Sequence, residues 1–136
     1  MQVRFDGQTY RSKLLFMNIE ELRDYCLSLP ATSENLPFDE TSLVFKVGNK
    51  MFALTDLEGP FWINLKCAPE KAIELREQYP AVKPGYHMNK KHWNTIEVDG
   101  SIPDNLLKQW IKESYDLVIK GMTHKERERL FIFVFP

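Results

Sequence analysis

Apolar residues change their spacing several times along this chain, and each change marks an element. From residue 17 they fall three and four apart: Ile19, Leu22, Cys26 and Leu29 form one stripe, with Glu20, Arg23 and Asp24 largely opposite. Asn18 and Glu21 make a capping-box pattern at the start of this helix, with Asn in place of the usual Ser or Thr, and Pro30 ends it. Residues 31–41 read as a polar loop. The period then shortens to two. Val44, Lys46 and Gly48 alternate with Leu43, Phe45 and Val47, which predicts strands over 42–47 and 51–56 joined by a tight turn at Gly48-Asn49-Lys50. A third strand, 61–66, places Trp62, Asn64 and Lys66 on one face.

Helical spacing returns over 69–79, with Pro69 near the first position, Glu70 in the first turn, and Ala72, Ile73 and the stem of Arg76 on its inner side. Residues 93–98 alternate as a further strand, closed by Asp99-Gly100. A longer helix over 103–120 shows a broad apolar face of Leu106, Leu107, Trp110, Ile111, Ser114, Leu117 and Val118, with Gly121 set as its C′ residue. Thr123 and Glu126 form a second capping box before a last short helix. Residues 131–135 are an apolar, β-prone run that needs a cover or a sheet edge. Hairpin turns between the early strands predict an α+β domain, an antiparallel sheet with helices packed on one side, rather than a parallel sheet. One domain is expected over residues 17–130, with residues 1–16 as an N-terminal extension and 131–136 as an apolar tail.

Composition adds exclusions. A chain of 136 residues can bury one core. Its net charge of −1 exerts no general pull on polyanions, so any nucleic-acid binding has to come from a local patch. Cys26 and Cys67 form no CxxC motif and no secretory leader precedes them, which points to the cytoplasm. No apolar run approaches the roughly 20 residues of a membrane helix, so no membrane partner is expected.

Few residues suggest catalysis. Cys67 lies before a helix N-terminus that could lower its pKa, yet nothing fixes a histidine beside it, and free cysteines usually act as small buried hydrophobes. His87 and His92 match no zinc spacing. Glu20, Glu21, Asp24, Glu34, Asp39 and Glu40 could hold a cation loosely, but acids on an outer helix face are more often solvated surface. Glycine-rich phosphate loops are absent. No catalytic residue, metal or cofactor is therefore assigned, and a binding module is expected rather than an enzyme.

The informative stretch runs from Gln78 to Thr95. It holds no acid, but three lysines and two histidines interleaved with Tyr86 and Trp93. Cationic side chains can neutralise phosphates and aromatics can stack on bases. Lys83, Tyr86, His87, Asn89, Lys90, Lys91, His92 and Trp93, joined by Lys66, are the candidate nucleic-acid contacts; a solvated loop anchored by its aromatics explains the same residues. So few lysines imply weak, salt-sensitive DNA binding.

Several blocks carry a resemblance. Met17-Asn18-Ile19-Glu20-Glu21 leading to Leu29-Pro30, then FKVGNKMFAL, WINLKC, YPAVKPGYHMNKKHWNTIEVDG and IKESYDLVIKGMT, resemble the MmcQ/YjbR family in order and over about residues 17–130. The resemblance implies a CyaY-like fold, akin to frataxin and to type III secretion chaperones. It also implies DNA binding through a "double wing", with Lys66, His87, Asn89, Lys90, Lys91, His92 and Trp93 at the contact. Two alternatives stay open: a protein-interaction or chaperone-like module that self-associates or binds a protein partner, and an enzyme acting on a small anionic molecule in a cleft beside His87 and Tyr86, which a pocket joining them to Cys67 would favour.

Overall fold

The computed structural model describes residues 16–132. The expected extension, apart from Phe16, and residues 133–136 of the expected tail lie outside the described residues. The elements run α1 (Ile19–Ser28), β1 (Thr32–Asn35), β2 (Ser42–Val47), β3 (Lys50–Asp56), β4 (Trp62–Lys66), α2 (Pro69–Gln78), β5 (Val82–Pro84), β6 (Trp93–Glu97), α3 (Asp104–Lys120) and α4 (His124–Phe131). This is the expected α+β arrangement. The six strands form one sheet in the order β1-β2-β3-β4-β6-β5, every neighbouring pair antiparallel. No helix among the described residues is long and apolar enough to cross a membrane.

Pairing sorts the strand residues onto two faces. Phe45 pairs with Ala53, Ala53 with Leu65, and Ile63 with Ile96, so these side chains share one face. That face meets Leu22 and Cys26 of α1 and Leu107, Trp110, Ile111, Tyr115 and Val118 of α3 in the core. Phe52 should point the other way, but the register shifts beside it, between Phe45 and Lys46. This irregularity turns Phe52 inward, where its ring meets Tyr115 edge-on at 5.4 Å. Burying such a ring contributes about 1.5–3 kcal/mol.

Ser114, on the apolar face of α3, has a polar task there. Its hydroxyl donates to the Phe52 carbonyl (2.6 Å) and accepts from the Lys66 amide (2.9 Å), joining β3 to β4 where their ladder ends. Both capping boxes are present, at Asn18–Glu21 and at Thr123–Glu126.

Four expectations need correction. The loop over 31–41 contains β1, whose polar residues alternate between half-buried and exposed. Arg23 of α1 clamps β1 through a bidentate pair with Glu34 (2.8 and 2.6 Å), and this pair holds the Glu34 carboxyl below its usual range. Ile73 is 54% exposed, so α2 packs through Ala72 and not through both residues. Gly121 closes α3 in right-handed geometry (φ −80°), not as a left-handed C′ residue. Finally, Phe131 ends α4 and is buried, so the apolar run begins inside a helix.

Candidate nucleic-acid interface

β5 lies at the sheet edge and β6 returns between it and β4. The residues joining them, 85–92, therefore emerge beside the end of β4, and polar bonds from three elements fix their path. Asn64, fully buried in β4, donates to the Tyr86 carbonyl (2.8 Å) and accepts from the Thr95 hydroxyl. Thr95 in turn accepts from the Tyr86 amide (2.7 Å). From α2, Arg76 donates to the side chain of Asn94 (2.7 Å) and to the carbonyls of Lys90 and Trp93. Asn94, also buried, donates to the Ala72 carbonyl (3.2 Å). The Cys67 amide donates to the His92 carbonyl at 2.8 Å.

Within the loop, the Asn89 side chain accepts from the Lys91 amide (2.9 Å), and its carbonyl accepts from the amides of His92 and Trp93. His87 takes a left-handed backbone (φ 60°), a conformation uncommon for a residue with a side chain.

The candidate residues divide accordingly. Tyr86, His87, Asn89, Lys90 and Lys91 are exposed along the loop, and Lys83 is exposed on β5. The Lys90 ammonium turns back onto the Gly85 carbonyl (3.0 Å), so part of its capacity serves the loop. Lys83 sits 3.8 Å from Glu97. His92 and Trp93 are half-buried at the return into β6, where Trp93 pairs across the sheet with Lys66. Among the described residues no carboxylate pairs with Lys91. The set is one neighbourhood rather than one surface: a cationic tip at Lys91, with Lys66 and Trp93 at one end and Lys83 and Tyr86 at the other.

Asn64, Arg76, Asn94 and Thr95 were not among the candidates, although they hold the site in shape. Asn64 left a signal, since an amide flanked by apolar residues in a strand has to find a partner when buried. Arg76 left none, because an arginine in the last turn of a helix ordinarily reads as a dipole contact.

Other features of the neighbourhood fix what chemistry is at hand. Burial raises the Cys67 thiol's pKa despite the adjoining helix N-terminus and Lys71. Cys67 lines a small cavity with Lys66, Lys71 and Glu113, whereas Tyr86 lines a separate cleft with Trp62 and Lys83. Three of the six acids that could hold a cation are engaged locally: Glu34 with Arg23, Glu21 in its capping box, and Asp39 accepting from Thr41 and Ser42. Among the described residues no group of three potential metal ligands occurs. A groove of about 1250 Å³ lies elsewhere, between α3, α4 and Pro30, with Tyr115, Ile119, Phe131 and Ile132 beside several charged residues.

A six-stranded antiparallel sheet with helices on one face, and a polar-clamped loop at the end of its fourth strand, defines the class of domain. The YjbR family model matches residues 27–117, and the chain belongs to that family. YbdF, an uncharacterised protein of Escherichia coli O157:H7, is 38% identical over 112 residues, covering 82% of this chain and 92% of that protein. YjbR of Escherichia coli K12, also uncharacterised, is 33% identical over 115 residues, 84% of this chain and 98% of that protein. Among solved structures, the Deinococcus radiodurans protein DR2400, with family-model domain DUF419, superposes with a TM-score of 0.80 at 44% identity, over 85% of this chain and 89% of its own. A Pseudomonas syringae protein superposes with a TM-score of 0.65 at 28% identity, over 74% of this chain and 98% of its own.

Proposed function

We propose that this YjbR-family domain is a binding protein for nucleic acid, DNA in the first instance. It would engage its ligand through the 85–92 loop and the adjoining Lys66 and Lys83, without chemistry on that ligand. One observation carries the reading: an acid-free loop, with an exposed Tyr86 and a Lys91 that has no carboxylate partner among the described residues, is held in place by buried amides and Arg76. A loop fixed in advance loses little conformational freedom on binding, which favours recognition. The separation of Cys67 from the Tyr86 cleft, and its raised pKa, support binding over nucleophilic catalysis. The interaction-module alternative draws its support from the groove beside α4.

The test is fluorescence anisotropy of a labelled duplex across a salt series. Lys91→Glu is the better probe, because Lys90 also serves the loop's own geometry. With two or three phosphates neutralised, log K should fall with log salt at a slope of about −2 to −3, and Lys91→Glu should weaken binding about tenfold at low salt. Absence of binding at low salt by duplex and single strand alike, or affinity unchanged in Lys91→Glu, sinks the reading.

A further inference from the structure

Tyr86 stands in the wall of a cleft of about 600 Å³ between the loop, β5 and the end of β6. The residue is 55% exposed, although its own amide and carbonyl are both tied down, to Thr95 and Asn64. Trp62 meets that ring edge-on, with centroids 5.9 Å apart, and Pro84 adds a flat apolar surface. The same cleft is lined by one cation, Lys83, and two carboxylates, Glu97 and Asp99. The hydroxyl and amide of Ser101 hold the Asp99 carboxyl below its ordinary range, so it stays ionised at neutral pH. A phosphate seated here would face two negative charges and a lysine already beside one of them.

What such walls match is a flat, uncharged heterocycle with hydrogen-bond donors on its edge. One of its faces would stack on Tyr86, its edge would meet the nearly perpendicular Trp62, and Pro84 would add apolar contact. Its amino group would donate to Glu97 or Asp99, and a ring nitrogen or carbonyl would accept from Lys83. Tyr86 is followed directly by the acid-free run 87–92, where cations await phosphates. We infer that the cleft takes one unpaired, amino-bearing nucleobase of a single strand whose backbone runs along the loop. This rests on the nucleic-acid reading above and sharpens it, since a base stacked inside a duplex cannot present its face to Tyr86.

The experiment compares labelled single strands of oligo-dC, oligo-dA and oligo-dT with a duplex, using the intact chain and its Tyr86→Ala, Tyr86→Phe and Glu97→Gln variants. Oligo-dC and oligo-dA should bind about tenfold tighter than the duplex, and more tightly than oligo-dT, which lacks an amino group on its base. Tyr86→Ala should lose about tenfold on single strands and clearly less on the duplex, whereas Tyr86→Phe, which keeps the ring, should retain affinity. Glu97→Gln should narrow the preference for dC over dT. If duplex binds as well as single strands and Tyr86→Ala changes neither, the base site is wrong while the nucleic-acid reading survives. If free deoxycytidine monophosphate competes at the strand's own affinity, the occupant is a small nucleotide and the strand proposal is overturned. If no nucleic acid binds at low salt, both readings fall together.

Discussion

Two connections on the same sheet are built on different principles. The β2–β3 turn closes on the Val47–Lys50 pair, with only Gly48 and Asn49 between, and Gly48 supplies the left-handed backbone (φ 60°) such a turn requires. Its torsions are set by the turn's own residues, with a single outside bond, the Gly48 amide donating to the Ala31 carbonyl (3.0 Å). The β5–β6 loop spans residues 85–92, and although Asn89 organises its second half, its first half hangs on residues far away in the chain. Asn64 lies 22 positions upstream of Tyr86, and Arg76 lies 18 before Asn94. A short turn can be local because few torsions have to be set. A longer loop that must hold side chains ready for a ligand needs outside partners, and here they are polar groups buried in β4 and β6 and the half-buried Arg76 near the end of α2.

Removing the central partner should break the difference between them most severely. Asn64→Leu keeps the forked shape, at a larger volume, but leaves the Tyr86 carbonyl and the Thr95 hydroxyl short of a bond at a buried position. The expected loss is about 2–3 kcal/mol, read as a lower urea midpoint. Amide exchange should quicken from Gly85 to Trp93 and stay slow across the β2–β3 turn. Unaltered exchange in the loop would show that Asn89 and the loop's own bonds suffice.

Paired glycine substitutions sharpen the contrast. A Cβ on Gly85 would lie 2.8 Å from both the Cβ and the carbonyl oxygen of Trp93, and strand backbone has little room to give. Gly85→Ala should cost about 2–3 kcal/mol, as overpacked sites do. A Cβ on Gly48 would meet the Leu130 Cδ1 at 2.7 Å, the flexible end of a side chain, so only the left-handed backbone resists it. Gly48→Ala should cost about 1–2 kcal/mol. The order Gly85 above Gly48, measured by thermal or urea unfolding, is the result that matters; the reverse order would place the greater constraint in the short turn.

The same contrast explains which features are legible in the sequence. Helices, caps and the β2–β3 turn follow from residues within a few positions of one another, and both capping boxes form as the spacing predicts. The α+β class follows from the order of these local elements. β1 was missed because Thr32–Asn35 has no apolar period of its own; it is a strand through pairing with β2 and the clamp between Arg23 and Glu34. The inward turn of Phe52 was missed because an irregular register belongs to two strands together. At the candidate site, the acid-free run marked the right segment, but which side chains face outward was not readable. Lys90 and Lys91 look equivalent in the chain, yet one ammonium returns to Gly85 while the other has no carboxylate partner among the described residues.

His87 offers the finest test of how far the loop is shaped for its ligand. Its left-handed backbone (φ 60°) is unfavourable for a residue with a Cβ and natural for glycine. His87→Gly removes that strain, but it also gives the unfolded chain more freedom, and the two effects oppose each other at about 0.5–1 kcal/mol each. Folded stability should therefore shift by less than about 0.5 kcal/mol in a urea titration. The imidazole lies against the Tyr86 ring, with centroids 4.0 Å apart. If the ring braces Tyr86, single-strand affinity should fall about threefold while stability holds, a loss smaller than that of Tyr86→Ala. Equal affinity would make His87 a backbone device alone, retained for the turn it tolerates. A large loss of stability would show instead that the loop depends on its side-chain contacts more than on the amides and Arg76 that clamp its main chain.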